Sequence, residues 1–182
     1  MSLLGDLIRL SPELRDEIRS DPATAYDRVT TFDQPERLEL DWEWKLFGPL
    51  FTIAGFRVNP FRSGVLFPDE QTAFGAHGDA RCLDPAQVAE AATQLERTPF
   101  AALAPHLRDA LVERDTLRVD YDYDYESPTY GQPLPPERIV TPTFPDEQIE
   151  SYRTRLADPY ADLTTFYRTA AHHGECTIFW AA

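Results

Sequence analysis

A chain of 182 residues with 31 acidic and 17 basic side chains carries a formal net charge of −14 and a pI near 4.6. Such a field repels nucleic-acid phosphates and anionic headgroups and attracts cationic proteins, so a basic partner fits the charge and nucleic acid does not. No stretch approaches the roughly 18 apolar residues of a membrane span, Met1 to Arg9 has no signal-peptide pattern, and Cys82 and Cys176 form no CxxC pair, so a cytoplasmic protein with two reduced, buried cysteines is expected.

Gly5 to Leu10 is apolar enough for a first strand. Ser11-Pro12-Glu13 then supplies an N-cap, a proline at the first helical position and an acid in the first turn, predicting a helix from Pro12 to about Arg19. Asp21-Pro22 repeats the start signal for a second short helix through Tyr26 and Val29, ended by Asp33-Gln34-Pro35.

Leu38, Leu40, Trp42, Trp44 and Leu46 recur every second residue, as a strand would have them, while Trp42, Leu46, Pro49, Leu50 and Ile53 suit helical spacing. The reading is helix. Gly55 to Phe74 lacks a period but is rich in large apolar residues, which predicts an ordered connection.

Ala80 to Leu83 reads as a strand, and Asp84-Pro85-Ala86-Gln87 opens a helix with Val88, Ala91, Ala92 and Leu95 on one face. Thr98-Pro99 starts the next helix, which Pro105 should kink or split. Residues 120–145 combine alternating acids and tyrosines with six prolines, predicting an extended, irregular excursion.

Pro145-Asp146-Glu147 opens the last helical region, striped by Ile149, Tyr152, Leu156, Leu163, Phe166, Tyr167 and Ala170. Pro159 should divide it in two. Gly174 stands where a helix-terminating glycine belongs, and Cys176 to Trp180 has the β-branched and aromatic content of a closing central strand.

Several of these segments occur together in one known pattern. Leu40-Asp41-Trp42 leading to Leu46-Phe47-Gly48, the Leu83-to-Val88 helix opening, and Phe166-Tyr167-Arg168-Thr169-Ala170-Ala171 before Gly174 and an apolar terminal strand resemble the YfbM-like family of uncharacterised bacterial domains. The resemblance implies a single bacterial α+β domain over residues 1–182, without an assigned biochemical function and without functional residues to carry over. The expected architecture is a small mixed sheet covered by several short helices, with a C-terminal helix followed by the closing strand.

Four constellations bear on function. In a strand, Asp120-Tyr121-Asp122-Tyr123-Asp124-Tyr125-Glu126 would place Asp120, Asp122, Asp124 and Glu126 on one face, about 7 Å apart, and three rings on the other. Such a row suits an arginine-rich partner surface, or else a simple edge strand with its acids in water; it lacks the glycine turn and spacing of an EF-hand. Gly75 to Arg81 gathers His77, Asp79 and Arg81 in one loop, either a solvent-facing turn or a small-molecule site with His77 as acid or base and Arg81 as anion clamp. His172, His173 and Cys176 are separated by a helix end, and helix-dipole partnership explains the histidines without a metal. The aromatics from Trp42 to Phe56 are read as core.

The chain has no G-x-S-x-G elbow, H-E-x-x-H or P-loop, so neither catalytic residues nor a cofactor is assigned. The leading hypothesis is a non-enzymatic module that captures or regulates a basic protein. The rival is a small-molecule enzyme or sensor built on the Gly75 to Arg81 loop.

Overall fold

The computed structural model describes residues 4–31, 37–75, 78–116, 126, 128, 130–132 and 143–181. Strand β5 (Cys176–Ala181) organises them, because every one of its six residues is buried. It pairs antiparallel with β1 (Gly5–Leu10) on one side and with β4 (Arg81–Leu83) on the other. β2 (Arg37–Leu40) and β3 (Val65–Leu66) add the two edges, giving the order β2-β1-β5-β4-β3. The expected mixed sheet is thus resolved into one in which every pairing is antiparallel.

Two apolar layers cover this sheet, as alternation along its strands dictates. Leu7, Leu83 and Phe179 face one layer, and Ile8, Leu10, Cys82, Cys176, Ile178 and Trp180 face the other. The second layer is completed by Ile18 of α1 (Pro12–Arg19), by Ala25 and Val29 of α2 (Ala25–Thr30), and by Phe67 and Phe74. Ser11 caps α1 by accepting from Leu14 N–H at 3.2 Å.

The first, larger layer holds α3 (Trp44–Ile53), α4 (Pro85–Arg97), α5 (Phe100–Leu103), α6 (Leu107–Thr116) and α7 (Asp146–His173). Asp84 and Gln87 form a reciprocal capping box at the start of α4. Pro105 separates α5 from α6 through a single 3-10 turn, as its missing N–H requires. Phe47, Phe51 and Phe61 stack between α3 and the sheet, so the aromatic segment is core.

Two readings change. The helix read from the spacing of Trp42, Leu46, Pro49, Leu50 and Ile53 is present from Trp44, but Leu38 and Leu40, which carry the competing period-two signal, lie in β2 opposite Leu7 and Gly5. The period-two signal prevailed there because β1 offers an edge whose hydrogen bonds no helix could complete. Nor does Pro159 divide the last helix, for α7 runs unbroken through 28 residues. Leu156, Tyr160, Leu163, Phe166, Tyr167 and Ala170 bury a face of α7, much of it on α4. Burying several such side chains at about 1.5–3 kcal/mol each outweighs the roughly 3 kcal/mol cost of an interior proline.

Gly174 ends α7 in the left-handed region at φ 66°, with its N–H directed to the Ala170 and Ala171 carbonyls. Of the proline-rich excursion at 120–145, residues 120–125, 127, 129 and 133–142 lie outside the described residues. So do Asp33, Gln34 and Pro35, expected to end the second helix.

Candidate functional site

Of the loop expected to bind a small molecule, Asp79 and Arg81 are described and His77 lies outside the described residues. Arg81 opens β4 opposite Leu66 and Phe179, and its guanidinium donates to the Gly64 carbonyl at 3.3 Å. The side chain braces the β3 edge. Asp79 Oδ1 is buried without a hydrogen-bond partner among the described residues, and it sits so close to Gly75 that a Cβ there would come within 2.6 Å. Gly75 has φ 97°, so both its backbone and the carboxylate beside it exclude a side chain.

Asp120, Asp122 and Asp124 lie outside the described residues, while Glu126 is exposed. His172 and His173 pack edge to face, and His173 Nδ1 lies 3.3 Å from Arg9 Nη1. Cys176 points into the opposite layer, so these three residues do not converge. Among the described residues, no group of three His, Cys, Asp or Glu side chains is arranged to hold a metal ion.

Two features were not foreseen. The first is a shallow groove of about 260 Å³ where β1 and β2 meet α7, lined by Arg9, Arg37, Leu38 and Phe166 and by Asp162, Thr165 and Thr169. Its arginines are already engaged: Arg9 pairs with Glu175 at 2.7 Å, and Arg37 pairs with the buried Asp6 at 2.7 Å and with Glu39 at 3.3 Å. With those carboxylates and Asp162 present, the groove does not attract anions. Arg9 shares a sheet face with Leu7, and an arginine on an inward strand position was the signal that could have found it.

The second is a sulfur pair. Cys82 on β4 stands opposite Ile178, which makes Cys176 its diagonal neighbour on the same face of β5. Both are free thiols and buried. Arg15 of α1 reaches down to them, donating from Nη1 to Cys176 Sγ at 3.3 Å while its Nε holds Asp16 at 2.8 Å. The Cys82 thiol donates to the Leu83 carbonyl at 3.6 Å. The neighbouring Cys82 sulfur and the Arg15 charge hold Cys176 below the ordinary thiol range despite its burial. The pairing of the two sulfurs, together with burial, pushes Cys82 up. The two sulfurs are therefore inequivalent, with Cys176 the more acidic.

The profile of a domain of unknown function, DUF1877, matches residues 1–124. The chain belongs to this family. Its fold is also that of an Escherichia coli protein of unknown function, YfbM, whose crystal structure superposes with a TM-score of 0.57 over 98% of this chain and 99% of that one. At 12% identity that likeness concerns the fold alone. No curated protein matches the chain. The family and the fold agree with the YfbM-like resemblance of the sequence and bring no assigned activity with them.

Proposed function

We propose that this DUF1877 domain is a binding module for a basic protein, engaged through exposed carboxylates. The observation that carries the reading is how the positive charge is spent. Arg9, Arg15, Arg28, Arg37, Arg57, Arg62, Arg108, Arg114 and Arg153 each lie within ion-pair distance of a carboxylate of this chain. Asp27, Asp41, Glu70, Glu96, Asp109, Glu147, Asp158 and Asp162 are exposed and make no ion pair among the described residues. Arg97, Arg155 and Arg168 are also exposed without an ion pair among the described residues, but the carboxylates in that state outnumber them, so the surface is negative at long range and would steer cationic proteins toward the domain. These acids are distributed over several elements and single out no one face, which counts against the reading. The docking contact is assigned to the sequence run Asp120, Asp122, Asp124 and Glu126 for its charge density alone.

The test is capture from the source lysate at low and high salt, followed by titration of the identified partner. A basic partner whose affinity falls steeply with salt, and falls about tenfold when Asp120, Asp122 and Asp124 become Asn and Glu126 becomes Gln, supports the reading. An acidic partner, or binding indifferent to both salt and those substitutions, sinks it. The rival small-molecule reading keeps one support, the buried Oδ1 of Asp79 that has no hydrogen-bond partner among the described residues, and requires ligand-induced stabilisation that Asp79→Asn abolishes. No described helix is long and apolar enough to cross a membrane.

A further inference from the structure

We propose that Cys82 and Cys176 form a buried dithiol that hydrogen peroxide closes into an intramolecular disulfide, with Cys176 as the attacking sulfur and Arg15 as the positioning residue. The geometry supplies three requirements of such a pair. The thiols are diagonal neighbours on one face of adjacent strands, a relation that leaves their Cα atoms about 7–8 Å apart. Closure requires about 6.8 Å or less, so β4 must draw toward β5 by on the order of an ångström. β4 is only three residues long, and beyond it lies the two-residue edge β3, so this is the part of the sheet that yields most easily.

The second requirement is an electropositive setting for the nucleophile, which the Arg15 guanidinium provides at 3.3 Å. The charged and titratable groups acting on Cys176 are Arg15 and Asp16 from α1, Cys82 from β4, and Asp84 at the start of α4. Only Arg15 brings positive charge, and it touches the sulfur; Arg19 adds a second positive charge on Cys82. The third is a route to solvent. Cys176 itself is fully buried, but the Arg15 side chain bonded to it is 17% exposed, so a rotation of that one side chain admits a molecule little larger than water.

The chemistry balances. Cys176 thiolate attacks one peroxide oxygen, the O–O bond breaks, and the departing hydroxide takes a proton to leave as water, giving a sulfenic acid. Cys82 sulfur then attacks Cys176 sulfur, the S–O bond breaks, and the leaving hydroxide takes the Cys82 proton as a second water. Two thiols lose two electrons and one peroxide gains them. Arg15 fixes the order, since its guanidinium bonds Cys176 Sγ at 3.3 Å and so favours the thiolate on that sulfur.

The experiment treats the full chain with hydrogen peroxide, quenches it, unfolds it and alkylates the remaining thiols before peptide mapping. Expected is a Cys82–Cys176 linked peptide, lost on reduction. Cys82→Ser should stop at a sulfenic acid on Cys176 that dimedone traps, whereas Cys176→Ser should leave Cys82 unoxidised. Arg15→Gln should slow the reaction roughly tenfold near neutral pH and move the midpoint of its pH profile upward. A lost packing contact alone would not produce that shift. Where a serine disturbs folding, alanine at the same position replaces it. Two alkylatable thiols in treated wild-type protein, an unaltered rate in Cys176→Ser, or a rate that rises with global unfolding in low urea each overturns the proposal.

Discussion

Replacing Tyr160 by Phe tests how α7 is locked onto α4. The ring is only 5% exposed, and its hydroxyl donates to the Leu95 carbonyl at 3.1 Å and to the Thr98 carbonyl at 2.5 Å. These are carbonyls at the end of α4, where Leu95 O also accepts from the Thr98 N–H at 3.4 Å. Losing the shared donor, above all from the Thr98 carbonyl, costs about 2 kcal/mol, or about 4–8 °C in Tm for a chain of this size. Burial also pushes the Tyr160 hydroxyl up from its ordinary value of 10 to about 12. The unfolded chain releases that proton near pH 10 and the folded chain holds it to about pH 12. This part of the stability is therefore intact below pH 10 and lost as pH rises through 12, amounting to about 2.7 kcal/mol. Tyr160→Phe cannot lose it. Tyr167 and Cys82, also pushed up, act in both proteins and cancel in the difference. Urea unfolding followed by tryptophan fluorescence from pH 7 to 11.5 should show the wild type more stable by about 2 kcal/mol at pH 7 and the gap closing as the pH rises. A gap of the same size at every pH, or none at pH 7, refutes the reasoning.

Pro159→Ala should stabilise the protein by about 1–2 kcal/mol in the same urea assay, because it restores a backbone donor inside an unbroken helix, offset partly by a freer unfolded chain. A loss of stability would mean that the proline ring packs better than its missing N–H costs. Gly64→Ala should destabilise by at least about 2 kcal/mol, since Gly64 has φ 86° and a Cβ would lie 2.3 Å from the Cys82 carbonyl oxygen. Hydrogen exchange should show the loss first in β3 and β4, and uniform protection in the variant would contradict the assignment.

The functional features differ in how legible they were. Arg81 belongs to a loop of ligand-binding composition, yet its guanidinium is spent on the Gly64 carbonyl, a contact that depends on where β3 lies. Arg15 and Cys176 are 161 positions apart, and only the stacking of α1 on the sheet brings them to 3.3 Å. Neither α1 nor β5 carries a motif that announces the other.

Local chemistry by itself determined the ends of elements. Ser11-Pro12 starts α1, Asp84-Pro85 with Gln87 starts α4, Pro105 separates α5 from α6, and Gly174 ends α7. Each acts through the few backbone donors and acceptors beside it, which is why neighbouring residues suffice to specify it. Tertiary structure alone decided that Leu38 and Leu40 pair with β1 and that α7 survives Pro159. In both cases intrinsic preference was nearly balanced or adverse, and contacts with distant elements, each larger than the local term, set the outcome.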